Sequence, residues 1–523
     1  MSRAGPSASA AQVPGHMRPA VLGSWFPTVC AAVACTLPLP LWAQWSNQAS
    51  VDARVTATDN SSPDATGPAR GDVYTSLRPA LRVAGRGPNF ELALNAAVDL
   101  VAYSRGTQPN RALPLFEGGL KSILIDQLMF FDANADVHQT EANAFGPRTD
   151  ASSASNRRTA ASYRLSPYLQ RDLTPSMSLL ARYDESQAKQ SGDDAADLRS
   201  HYSLVRLARK PVPLGFLLEV SNLQNDSSGI ATSSLRVATA KVGVSATAFD
   251  EVVVGVAGGV ERTRLLLTDQ SDKLYGLNFR WIPSLRTELF ANFERRFFGT
   301  GGELRFSHRT PFTAFSLRVN REPVTATSSL GVIGAGGDVA NFLDAILTRS
   351  TPDPVQRAVV VQNLISSRGL QASFPSATDF VASYPQLQTG GTASWVYSGA
   401  RATMSLSFYQ QTLRQLTRDA ASALPLTILV ADNCQTGAAL EVNYRLTPEM
   451  SLDSAIRWSR VRGLAATEGQ TTRENSISFA LVQNLSPRTG MTVGIQHKVV
   501  DSNVGLAQPY KPTLVFAGVN HRF

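Results

Sequence analysis

The six histidines, His16, His138, His201, His308, His497 and His521, are the first side chains to test for chemistry. They are scattered singly, and the chain contains no H-E-x-x-H, no G-x-S-x-G and no C-x-x-C. Ser200 precedes His201 in "SHYS", but neighbouring residues of a strand point to opposite faces, so the two cannot form a dyad. Cys30 and Cys35 lie in a leader-like N-terminal segment, which leaves Cys434 alone and allows no internal disulfide after that segment. Neither an enzyme nor a cofactor or metal site is therefore expected. The chemistry on offer is that of a polar surface. Glu91, Asn95 and Asp99, and again Glu441, Asn443 and Arg445, occupy alternate positions of extended segments. They offer carboxylate, amide and guanidinium groups along one face, able to bind sugar hydroxyls or acidic groups.

Strands of period two must position them. Phe90, Leu92, Leu94, Ala96, Val98 and Leu100 share the face opposite Glu91, Asn95 and Asp99. Met129, Phe131, Ala133, Ala135 and Val137 likewise oppose Phe130, Asn134, Asp136 and His138. A Pro-containing turn recurs in "DLTPSMSLLARY", "RLTPEMSLDSAIRW" and "NLSPRTGMTVGIQ", ending one strand and starting the next. The pattern predicts about 22 strands of about ten residues, within a range of about 20 to 24, with short turns and longer polar links in strict alternation. Both termini then fall on the short-turn side.

That parity, with alternating apolar and polar faces, predicts an all-β fold, a transmembrane antiparallel β-barrel of outer-membrane type. The last segment, "PTLVFAGVNHRF", closes it: Val515, Ala517, Val519, His521 and Phe523 share one face, and Phe516, Gly518, Asn520 and Arg522 the other. The terminal Phe523 and the alternation before it resemble the assembly signal read by the outer-membrane insertion machinery. His521 stands where that signal more often has an aromatic such as Tyr. The expected partners are outer-membrane lipid and that machinery.

Residues 1–43 lack Asp and Glu, carry Arg3 and Arg18, and run into an apolar stretch that reads as a cleaved secretory signal ending at Ala43. A start at Met17 would leave a signal of ordinary length. Pro27, Pro38 and Pro40 argue against a membrane anchor. Loss of the two arginines lowers the formal net charge from +8 to +6. The remaining charges are scattered singly rather than clustered with aromatics, so nucleic acid is not an expected partner. Single arginines on polar strand faces suggest a lumen that attracts anions.

One segment, about 321–387 within the barrel of 44–523, breaks the alternation. Val339, Phe342, Leu343, Ile346 and Leu347 recur at helical spacing after Asp338. A second helix follows Asp353 and Pro354, carries Val361, Leu364 and Ile365, and ends at Gly369. This two-helix insert falls on the long-link side, where it could gate or plug the lumen, lid the mouth, or decorate the surface.

The stretch "TDNSSPDATGPARGDVYTSLRPALRVAGRGPNFELALN", then "LMFFDANADVHQTEANAFGP" and "TPDPVQRAVVV", resembles an outer-membrane β-barrel family associated with PEP-CTERM and exosortase systems. The resemblance implies a role beside exopolysaccharide synthesis and export, as a channel or export accessory, with polysaccharide and export-complex proteins as partners. It supplies no catalytic residues. A general or substrate-specific porin remains the alternative. An energy-coupled receptor would need a folded plug domain ahead of its first strand, and an autotransporter a passenger; here the strand pattern starts directly after the leader.

Overall fold

The computed structural model describes residues 44–61, 69–141, 143–146, 156–191, 197–228, 233–249, 251–265, 268–324, 385–416, 432–504 and 509–523. Twenty-two strands follow one another: β1 (Gln44–Thr58), β2 (Asp72–Arg86), β3 (Phe90–Tyr103), β4 (Arg111–Ile125), β5 (Met129–Glu141), β6 (Arg157–Thr174) and β7 (Met177–Gln190). Next come β8 (Asp197–Arg209), β9 (Leu214–Ser228), β10 (Ser233–Ala248), β11 (Val252–Leu265), β12 (Thr268–Ser284), β13 (Thr287–Arg296), β14 (Gly299–Arg309) and β15 (Thr313–Val324). The last are β16 (Gln386–Ser398), β17 (Ala402–Gln415), β18 (Asn433–Arg445), β19 (Met450–Gly463), β20 (Thr471–Ser486), β21 (Thr489–Ser502) and β22 (Thr513–Arg522).

Each strand pairs with its sequence neighbours, and β22 pairs antiparallel with β1, so the sheet closes into a barrel with no free edge. The closing ladder runs from Ser50 opposite Arg522 to Thr58 opposite Leu514, and the Phe523 amide donates to the Ala49 carbonyl at 3.0 Å. The outward face is apolar. Val244, Val256, Leu277 and Phe293 stand directly opposite one another on β10 to β13, and each is about half exposed. A continuous surface of that kind would be an aggregation patch in water and is what lipid requires. Aromatic rings rim it: Tyr163, Tyr275 and Trp458 on the long-link side, Trp281, Tyr444 and Phe523 on the other.

The short turns are held by their own hydroxyls. Ser284 Oγ accepts from the Arg286 amide, Thr310 Oγ1 from Phe312 and Thr313, and Ser486 Oγ from Arg488 and Thr489. A serine or threonine hydroxyl that captures the amide two or three residues on is the local reason these tight reversals form.

Two expectations need correction. The strands run from 10 residues in β13 to 18 in β6, longer than the expected ten, because they continue past the apolar band into a polar collar. The long-short alternation also fails on the long-link side between β11, which ends at Leu265, and β12, which begins at Thr268, and at 297–298 between β13 and β14. At the second of these, the fully buried Glu261 carboxylate accepts from Arg296 Nε at 2.7 Å and from the Phe297 amide at 3.0 Å, pinning the reversal to β11. The N-terminal segment 1–43 and the insert residues Val339, Phe342, Leu343, Ile346, Leu347, Val361, Leu364 and Ile365 lie outside the described residues.

Removal of Phe523 takes away the hydrogen bond from its amide to the Ala49 carbonyl and the last ring of the girdle. Heat-modifiable gel mobility of the membrane fraction is expected to show a reduced folded band with unchanged export to the periplasm. An unaltered folded fraction would make the terminal ring incidental.

Candidate functional site

Alternation carries Glu91, Asn95 and Asp99 of β3, and Glu441, Asn443 and Arg445 of β18, onto the inner face, as their sequence spacing predicts. The lumen wall is strongly charged yet largely self-neutralised. Lys241 Nζ lies 2.9 Å from Glu219 and 3.0 Å from Glu294, and Glu219 also accepts from Arg206 Nε at 2.6 Å. This chain of charges runs from β8 to β13. It crosses β12 over Gly276, where an added Cβ would meet Ala257 at 3.5 Å and the Glu294 side chain at 3.4 Å. Similar pairs are Arg457 with Glu441 at 2.7 Å, Arg318 with Glu303 at 3.1 Å, Arg182 with Asp184 at 2.7 Å and Lys498 with Glu474 at 3.0 Å. Where the arginines expected to attract anions lie beside cross-strand carboxylates, as Arg206, Arg318 and Arg457 do, their charge is offset within the wall.

The histidines do not converge. His138 alone of those described faces the lumen, on the Asp136 carboxylate. His201, His308, His497 and His521 face outward on separate strands, each beside a hydroxyl of Tyr183, Thr287, Thr513 or Thr489 at 2.8 to 3.1 Å. Ser200 faces the lumen while His201 faces out, so no dyad exists.

The long-link side of the lumen is where distant parts of the sequence meet. At the top of β1 the Thr58 hydroxyl donates to the Asn60 carbonyl at 3.0 Å and accepts from the Asn60 amide at 3.2 Å, turning the chain inward. Asp59 accepts from the Thr513 amide at 2.8 Å, and the Tyr510 hydroxyl donates to the Asn60 carbonyl at 3.2 Å. Ser61, fully buried, donates to the Arg70 carbonyl at 2.9 Å. Asp72, also buried, accepts from the Val73 and Arg105 amides at 2.7 and 3.0 Å, from Ser104 Oγ at 2.9 Å and from Thr107 Oγ1 at 2.5 Å. Residues 58–61, 104–107 and 510–513 are thereby stitched into one rim. Tyr74 and Tyr103, with ring centroids 5.2 Å apart, pack beneath it against Val101 and Leu514.

From β5 a strap crosses to the far side of this rim. Phe145 is fully buried against Val461 of β19, with Val504 packed beside it. Its carbonyl accepts from Thr472 Oγ1 of β20 at 2.6 Å and from Ser502 Oγ of β21 at 3.4 Å. Val461, Thr472 and Ser502 all face inward, so the strap spans the mouth over β1 to β4 and β22. Asn156 shapes the tip: its Oδ1 accepts from the Asn143 amide at 2.8 Å, and its Nδ2 donates to the Asn143 carbonyl at 3.0 Å. A Cβ at Gly146 would come within 2.4 Å of Asn156 Nδ2, so any larger residue there would have to displace the Asn156 amide from the strap's tip.

These rim and strap residues belong to the "TDN" and "FGP" stretches of the sequence, whose joint position sequence reasoning missed. The signal available was small: a lone phenylalanine in a polar link needs a burial partner, but nothing local says which. The helical residues expected to gate the lumen are outside the described residues. At the opposite end, Val515, Ala517, Val519 and Phe523 face outward, and the His521 ring meets Phe523 edge to face at 4.8 Å. His521 thus takes the aromatic place in that row.

No protein-family model matches the chain, and no curated protein matches it. Among solved structures it is similar to the siderophore receptor PirA from Acinetobacter baumannii, at 10% identity and a TM-score of 0.46, covering 91% of this chain and 80% of that one. It is similar to the FrpB iron transporter from Neisseria meningitidis (F3-3 variant), at 9% identity and 0.47, covering 91% and 81%. The ferric-catecholate import receptor Fiu from E. coli K12 matches at 8% identity and 0.47, with the same coverage. Likeness at this level carries no functional inference.

Phe145→Ala should remove about 3 kcal/mol of burial from the strap's docked state, on the order of a hundredfold in its population. Single-channel recordings in planar bilayers are expected to show raised or more frequently fluctuating conductance from a barrel that remains heat-modifiable. A folded variant with unchanged conductance would remove the strap from any gating role.

Proposed function

We propose that this outer-membrane barrel is a channel or export accessory for a surface exopolysaccharide, working beside a PEP-CTERM and exosortase envelope system. The observation that supports the reading is that the "TDN" and "FGP" stretches, on which the family resemblance rests, are both tied down at the mouth, Asp59 and Asn60 to Thr513 and Tyr510, and Phe145 to Thr472 of β20. A barrel of 22 strands encloses a lumen wide enough for a hydrated polymer and in need of an obstruction when idle. Charge pairing along the wall suits a polyhydroxyl chain better than a simple ion. Glu219, Lys241 and Glu294 offer donors and acceptors side by side with little net field. The inner face of β16 and β17 adds Gln388 and Gln411, whose amides both donate and accept.

In this reading residues 1–43 are a cleaved signal, and residues 44–523 form the barrel with a helical gate inside 321–387. The outward row Val515, Ala517, Val519, His521 and Phe523 is read by the insertion machinery. Amino-terminal sequencing of protein from outer membranes should begin near Gln44. An intact amino terminus in the inner membrane would defeat that assignment.

The function itself is tested by deleting 338–369 and, separately, the whole gene. The first deletion should leave a folded barrel with higher single-channel conductance. The second should reduce extracellular polysaccharide while leaving growth on small nutrients unchanged. Normal polysaccharide with impaired uptake of a small solute would identify a porin instead.

A further inference from the structure

Above the apolar band, on the outward face, the strands end in arginines. On β11 the arginines have a carboxylate: Asp269 of β12 accepts from Arg262 Nη2 at 2.8 Å and from Arg264 Nε at 2.9 Å, although Arg236 of β10 stands opposite Arg264 in the ladder. On β19 and β20 they do not. Arg460 and Arg462 follow Ile456 and Trp458 on the outward face of β19, and Arg473 lies directly opposite Arg460 in the ladder. Two guanidinium groups in directly opposed positions repel.

None of Arg460, Arg462 and Arg473 makes an ion pair among the described residues, and Arg460 Nε is buried without a hydrogen-bond acceptor. Asp501 of β21 stands opposite Arg473 in register, one carboxylate against three guanidinium groups, and forms no ion pair with it. An anion shared between Arg460 and Arg473 would offset their repulsion and give the buried Nε its acceptor. Planar guanidinium forks match phosphate oxygens two at a time.

The ground immediately below is apolar. Trp458, Ile456, Ile477 and Phe479 are exposed on the same outward face, one step toward mid-membrane. A ligand that places phosphate against the arginines and acyl chain against this surface is a lipid of the leaflet on the long-link side. Free phosphate would use only half of the site.

We propose that Arg460, Arg462 and Arg473 form a binding site for the phosphate group of a phosphorylated glycolipid of the outer leaflet, whose acyl chains lie on Trp458 and Ile477. The lipid is the missing counter-charge of this sector of the collar, as Asp269 is of the sector at β11.

The test is native mass spectrometry of the full folded protein in a non-ionic detergent, titrated with a synthetic diphosphorylated hexa-acyl disaccharide lipid. The comparison ligand is the same lipid without its phosphates. The unaltered protein is expected to retain the phosphorylated lipid about tenfold or more tightly than the dephosphorylated one, and R460Q/R473Q to abolish that preference. The matched pair R262Q/R264Q, at the same height but already ion-paired to Asp269, should keep it. Equal binding of the two lipids to the unaltered protein would overturn the proposal, and that comparison needs no variant to fold. Retained preference in R460Q/R473Q, or in the milder Arg462→Gln together with Arg473→Gln, would overturn the placement. Displacement of the lipid by an equal concentration of inorganic pyrophosphate would overturn the lipid as occupant.

Discussion

Everything in this molecule depends on the ladder between β1 and β22. Lipid offers no hydrogen bonds to a free sheet edge, and each unsatisfied backbone group would cost several kcal/mol in the hydrocarbon region. Nine residue pairs from Ser50 opposite Arg522 to Thr58 opposite Leu514 join the two ends of the chain across more than four hundred and fifty residues of sequence. Closure makes one face a lipid surface and the other a water-filled wall, so a single period-two pattern must satisfy two solvents at once.

The two faces treat charge in different ways. Inside, residues opposite and diagonal to one another across strands pair off, as Arg206, Glu219, Lys241 and Glu294 do, and the wall keeps polarity while losing net field. Outside, charge begins only where the apolar band ends, and there the pairing is incomplete. Arg262 and Arg264 share Asp269, whereas Arg460 and Arg473 face each other with nothing between them. The difference separates a wall whose charges are paired across strands from a collar in which opposed arginines are not.

The mouth follows from closure as well. Bringing β1 beside β22 places residues 58–61 within hydrogen-bond reach of residues 510–513, while the strap from β5 docks farther round the ring, on the inner faces of β19, β20 and β21. Phe145 then gains a pocket that its own link could never supply.

The barrel was legible in the sequence because strand periodicity is local: Leu92, Leu94 and Ala96 alternate with Glu91, Ala93 and Asn95 whatever lies elsewhere, and the hydroxyl-held turns are complete within four residues. The order of the strands followed from parity. The length of the strands was underestimated, because a collar residue such as Arg262 continues the backbone ladder after the apolar signal has stopped. What only the tertiary structure decided are the contacts across the ring: the charge chain from β8 to β13 over Gly276, the rim joining Asp59 to Thr513, the burial of Phe145 against Val461, and the opposition of Arg460 and Arg473. These join residues whose spacing is set by strand register and ring closure, and no periodic pattern within a segment encodes which distant segment will face it.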